Sequence, residues 1–160
     1  MVVQAPIRLL IVDDQALVRG ALGALLDLEA DLHTVGTAAN ADEAVQQAIE
    51  LAPDVCLMDI QMPGDDGILA TKRVREASPG TRVLVVTTFA RPGYLRAALE
   101  AGAGGFIVKD APPEQLADAV RRVHAGLRVV DPALAALSAA EGMVRMGLSN
   151  SLVDAARCAA

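Results

Sequence analysis

Tryptophan is absent, and two phenylalanines and one tyrosine are the only aromatic residues. A surface that stacks single-stranded bases needs more rings than that. Positive charge is also scarce: 14 Lys and Arg face 20 Asp and Glu, for a net charge of −6. The clustered cations that neutralise a nucleic-acid backbone are therefore missing. Cysteine is reduced to Cys56 and Cys158, far apart in the chain, which gives neither a disulfide framework nor the paired spacing of a zinc site. Cys56 lies in an apolar run and reads as a small core residue. His33 and His124 are isolated and make a poor start for a metal site. No apolar run reaches the roughly 18 residues of a membrane-spanning helix. The N-terminal apolar stretch runs straight into Asp13-Asp14 without a cleavage signature, so it reads as part of the fold rather than as a signal peptide. Together these absences point to a cytoplasmic chain with no membrane contact.

What is present is apolar and patterned. The chain has 160 residues, 53% of them hydrophobic, enough for one domain with its own core. Short apolar runs recur at 7–12, 32–37, 55–58, 83–86 and 106–108. They are continuous rather than alternating, as strands covered on both faces should be. Between them lie segments of helical period. In the first, Val18, Leu22, Leu25 and Leu26 share a face. The second opens with Asn40 and has Glu43 three residues on, a capping-box arrangement, and its face is Ala41, Ala44, Val45, Ala48 and Ile49. A third spans 68–77 and stops before Pro79-Gly80. A fourth spans about 92–101 and ends at Gly102. The fifth starts near Pro113 and buries Leu116, Val120 and Val123, leaving Ala117, Ala119, Arg121 and Arg122 outside. Five strand–helix alternations read as a parallel α/β sheet with helices on both faces.

In an open parallel sheet, ligands bind at the carboxyl ends of the strands. The first run closes with Asp13-Asp14, the third with Asp59, the fourth with Thr87-Thr88 and the fifth with Lys109. If the first and third strands are neighbours, three carboxylates converge and raise one another's pKa. A hard divalent cation relieves that repulsion, and carboxylate oxygens with room for water suit Mg²⁺. Lys109 adds a point charge and Thr87 a hydroxyl. Such a set suits a phosphoryl group carried by one of the aspartates. Each residue has a plainer reading: Asp13-Asp14 a first-helix cap, Asp59 a turn residue, Lys109 half of a surface pair, Thr87 a strand-end residue and Phe106 ordinary core. Independent plain causes would not bring them all to one sheet edge.

Four pieces in order, Ile11-Val12-Asp13-Asp14, Met58-Asp59-Ile60-Gln61-Met62-Pro63-Gly64, Val86-Thr87-Thr88 and Gly105-Phe106-Ile107-Val108-Lys109, resemble the receiver domain of two-component response regulators. Segments 87–94 and 102–113 are similar to the subgroup with a LuxR/NarL-type helix-turn-helix output. The resemblance implies a flavodoxin-like (βα)5 doubly wound parallel sheet, strand order 2-1-3-4-5, with a short helical C-terminal tail. It implies a receiver domain over 5–127, followed at 128–160 by a linker and a truncated or degenerate output tail. On matching positions, Asp59 would be the phosphoacceptor, and Asp13, Asp14, Asp59 and the backbone carbonyl of Gln61 would hold Mg²⁺. Lys109 and Thr87 would contact the phosphoryl oxygens. Phe106 matches a switch aromatic, expected to swing inward on phosphorylation and, lacking a hydroxyl, to act through packing. The implied partner is a sensor histidine kinase, and a homodimer through helices 1 and 5 is implied as well. Beyond self-phosphotransfer and slow autodephosphorylation, no enzyme activity is expected.

The output half is the weak part of the pattern. Leu137-Ser138-Ala139-Ala140-Glu141 and Gly147-Leu148-Ser149-Asn150 resemble its start, but the stretch between them is shortened and no basic cluster follows. DNA binding by this chain alone is therefore not expected, although a DNA-binding transcriptional regulator is the first alternative. A haloacid-dehalogenase-type phosphatase uses similar groups but wants one residue between its first two aspartates, and Asp13 and Asp14 are adjacent.

Overall fold

The computed structural model describes residues 4–88 and 93–132. In chain order its elements are β1 (Ile7–Val12), α1 (Ala16–Asp27), β2 (Leu32–Ala38), α2 (Ala41–Leu51) and β3 (Val55–Met58). There follow a small hairpin of β4 (Gln61–Met62) and β5 (Asp65–Asp66), then α3 (Gly67–Ala77) and β6 (Arg82–Thr87). The described part closes with α4 (Tyr94–Glu100), β7 (Gly105–Val108), α5 (Pro113–His124) and β8 (Val129–Val130). Six strands form one parallel sheet in the order β2-β1-β3-β6-β7-β8. The five strands expected from sequence thus lie as 2-1-3-4-5 in their own count.

The continuous apolar runs are explained by two separate cores, one on each sheet face. Leu10, Val12, Cys56, Met58, Val83, Val85 and Phe106 pack against α2, α3 and α4. Their chain neighbours Leu9, Ile11, Val55, Leu57, Leu84, Val86 and Ile107 pack against α1 and α5. Successive residues of a strand point to opposite faces, so both positions must be apolar. Cys56 is fully buried, and burial pushes its thiol up to about 12. It is an inert core residue, as expected. Among the described residues, no helix is long and apolar enough to cross a membrane.

The helices confirm the expected faces with four corrections. On α1, Leu22, Leu26 and Gly23 are buried, and Leu25 is 41% exposed. The buried arc is centred on the side of Leu22, Leu26 and Gly23, which leaves Leu25 on its flank. On α2, Ala41, Ala44 and Ala48 are buried while Ile49 faces solvent. Small side chains let α2 lie close to the sheet, and the larger residue is pushed to the rim. On α5, Ala117 and Ala119 are not outside: both are enclosed with Leu116, Val120 and Val123. They cannot supply a small-residue contact to another molecule. The Asn40 cap forms as expected, its side chain accepting the Glu43 N–H at 2.9 Å. Glu43 returns the bond to the Ala39 N–H at 2.8 Å, one residue earlier than in the usual box.

Beyond the small β4–β5 hairpin, a further departure is β8. Val129–Val130 pairs in parallel with β7 and is buried, so the sheet extends into the stretch expected to begin the linker at 128. The expected helical output tail over 133–160 lies outside the described residues.

Candidate functional site

The acidic residues are buried because the sheet's hydrogen-bond ladder runs one residue past the strand ends. Asp13 N donates to Ala38 O at 3.0 Å, and Asp59 N donates to Val12 O at 3.0 Å. Both aspartates are thereby fixed side by side at the carboxyl edge of β1 and β3. The same extension occurs two strands away, where Lys109 N donates to Thr87 O at 2.7 Å. Thr87 is fully buried at the end of β6. Four of the residues chosen from sequence are thus held by main-chain bonds of a rigid sheet.

Side chains then meet in the space above the edge. The Lys109 ammonium donates to Asp13 Oδ2 at 2.5 Å and lies 3.3 Å from Asp59 Oδ2. The other oxygens are held by the backbone: Gln15 N donates to Asp13 Oδ1 at 2.9 Å, and Gln61 N donates to Asp59 Oδ1 at 3.1 Å. Asp14 is half-buried, and carboxylate oxygens of Asp13, Asp14 and Asp59 lie within 4.8 Å of one another. Asp13 and Asp59 are 1% and 3% exposed. Burial pushes the Asp59 carboxyl above its ordinary value. The Lys109 charge and the Gln61 N–H oppose this, and the Asp13 charge adds to it. Three carboxylates therefore face one ammonium, a charge balance that favours a further cation. Oxygen donors with one side open to solvent through Asp14 fit Mg²⁺ by chemistry.

The loop carrying Asp59 is fixed from the other side by α3. Asp66 caps that helix, its Oδ1 accepting the Ile68 N–H at 2.9 Å. A Cβ on Gly67 would stand 2.3 Å from Asp59 O and 2.4 Å from Ile60 Cα. Only glycine lets the helix start this close to the site. Sequence reading did not single out Gly67, and a glycine just after Asp65-Asp66 looks like an ordinary turn. It also passed over Arg19, whose guanidinium Nη1 donates to Asp13 O at 2.5 Å.

Asp13, Asp14, Asp59 and Lys109 are brought together, and Thr87 ends the neighbouring strand. Gln61 meets the cluster through its N–H. Phe106 is fully buried among Met58, Val85, Leu95 and Ala98. The ring belongs to the core cluster that joins β7 to α4.

Residues 9–121 match the response regulator receiver domain family. The uncharacterized transcriptional regulatory protein YvfU of Bacillus subtilis is 45% identical over 128 residues, covering 80% of this chain and 64% of that protein. A two-component response regulator of the LuxR family from Aurantimonas sp. SI85-9A1 superposes with a TM-score of 0.82 at 32% identity, over 87% of this chain and 99% of that one. The response regulator domain of Thermotoga maritima CheB gives 0.69 at 36% identity, over 79% of this chain and 99% of that one. The chain spans 59–64% of the length of three curated relatives it matches.

Proposed function

Since the chain belongs to the response regulator receiver family, we propose that it takes a phosphoryl group from a sensor histidine kinase onto Asp59. An Asp59 carboxylate oxygen attacks phosphorus, an O–P bond forms, and the N–P bond to the kinase histidine breaks. The bonding pair leaves with the imidazole nitrogen, which takes up a proton. The observation that carries this reading is the position of Asp59: buried, beside one ammonium, and crowded by two further carboxylates. Gln61 N–H and Lys109 orient its two oxygens separately, so little reorganisation is needed during transfer. Lys109 then moves from neutralising carboxylates to neutralising phosphoryl oxygens. Thr87, at the end of β6, supplies a hydroxyl to one of those oxygens.

Asp13, Asp14 and Asp59, with the Gln61 carbonyl, would hold Mg²⁺, which supplies charge neutralisation for the incoming phosphoryl group. Output would act through packing around Phe106, as a shift between two arrangements of α4 and β7. Association through α1 and α5 has lost the support of Ala117 and Ala119. It rests on the exposed Leu17 and Leu28 of the α1 side and is read by sedimentation with and without phosphodonor.

The test is intact mass after acetyl phosphate and Mg²⁺, with the modified residue mapped. The wild type should gain one phosphoryl group, and the Asp59→Ala variant none. Continued Mg²⁺-dependent labelling of that variant at another residue overturns the assignment.

A further inference from the structure

We infer that Arg19 is a positioning residue for the acidic cluster, fixing the peptide that joins Asp13 to Asp14 and so the carboxylates that would hold the cation. This rests on the reading of the cluster as a Mg²⁺ site. α1 begins without the usual supports: its N-cap, Gln15, makes no side-chain capping bond, and its first turn carries no acid. The short turn between β1 and α1 is held instead by two bonds. One is Gln15 N to Asp13 Oδ1 at 2.9 Å. The other is Arg19 Nη1 to Asp13 O at 2.5 Å, reaching back from the second turn of the helix.

That carbonyl belongs to the Asp13–Asp14 peptide. Pinning it fixes the peptide plane and hence the direction in which Asp14 leaves the chain. Asp13 has other anchors, since its N–H bonds Ala38 O and its carboxylate bonds Lys109 and Gln15. Asp14 is the less enclosed member of the cluster, and its place depends most on the peptide before it. Partners one bond removed from metal ligands commonly carry about 10–100-fold in affinity.

The charge of Arg19 and its hydrogen bond act in opposite directions, which makes the inference testable. A guanidinium near a cation site repels the cation, so a purely electrostatic role means tighter Mg²⁺ binding when the charge is removed. A positioning role means weaker binding. Mg²⁺ affinity is measured by calorimetric titration of the whole chain, together with the thermal midpoint in metal-free buffer. Arg19→Met keeps the stem and removes both charge and donor; binding should weaken about 10-fold. Arg19→Lys keeps charge and one donor and should stay within about twofold of wild type, against the same reference. An Arg19→Met chain that binds Mg²⁺ equally or more tightly overturns the inference while leaving the cluster's assignment intact. So does a loss matched in the Lys variant, which keeps an N–H donor on a stem of similar length, because the bond to Asp13 O would then not be what holds the cluster. Should the Met variant not fold, Arg19→Gln, uncharged and too short to span the same gap, is judged by the same criterion. Failure of the wild type to bind Mg²⁺ overturns the cluster reading itself, and the inference with it.

Discussion

Among the described residues, two ionic clusters centred on Lys109 and Arg121 tie distant parts of the chain together, and they differ in one respect above all. At the carboxyl edge of the sheet, Lys109 meets Asp13 and Asp59, with side chains only 17%, 1% and 3% exposed. On the outer face, Arg121 of α5 holds Asp31 through two bonds of 2.7 and 2.8 Å and Glu29 through one of 2.8 Å. Those three side chains are 36–52% exposed. The outer cluster has the better geometry, a forked guanidinium on a carboxylate. The inner one has an excess of negative charge and little contact with solvent to spread it. Interaction energies rise about fourfold as the effective dielectric falls from about 80 to about 20. Good geometry in water therefore makes a modest strut, while imperfect balance in the interior leaves negative charge that a further cation would offset.

The strongest way to break this contrast is to remove each cation in turn. Lys109→Met leaves two buried carboxylates facing each other, and it should destabilise the fold by about 3 kcal/mol or more. Urea unfolding in metal-free buffer measures this, and Mg²⁺ should restore part of the loss. A cost no greater than that of the matching change at Arg121 would collapse the comparison. Removing one inner anion sharpens it in the other direction. Burial is the main reason the Asp59 carboxyl titrates above its ordinary value, so its environment opposes the charged form. Asp59→Asn should raise the urea midpoint of the metal-free fold. A lower midpoint than wild type would mean that Asp59 is held by its contacts rather than strained by its burial.

The inner cluster was legible in the sequence because each member directly follows or closes an apolar run, and such runs in a parallel sheet share one edge. Strand order came from the resemblance, not from the runs. What stayed hidden has physical reasons of three kinds. Helical period shows that Val18, Leu22, Leu25 and Leu26 cluster but not where the arc is centred, so Leu25 and, on α2, Ile49 landed on the wrong side. Alanine carries little hydropathic signal of its own. Helical period alone therefore places Ala117 and Ala119 outward, although both are enclosed. Two valines at 129–130 are too short a run to announce a strand, and only β7 beside them makes one. Arg19 and Gly67 act through close approach to Asp13 O and Asp59 O, contacts that no pattern along the chain encodes. The outer cluster was invisible too, since Arg121 meets Asp31 across ninety positions of chain.

The outer cluster itself sets the small end of the scale. Arg121→Met should cost only about 0.2–1 kcal/mol, because the side chains are exposed and already solvated. Added salt should shrink the difference further. Its pH dependence has a defined sign. The Arg121 hydrogen bond holds the Asp31 carboxyl below its ordinary value of 3.8, so the folded state binds that proton less readily than the unfolded chain does. The contribution is complete above the unfolded value and disappears as pH falls through the lower folded value. Wild type and Arg121→Met should therefore differ in urea midpoint at neutral pH and converge in acid below the ordinary Asp range. A difference that persists there would show that the apolar stem of Arg121 stabilises the fold more than its charge does.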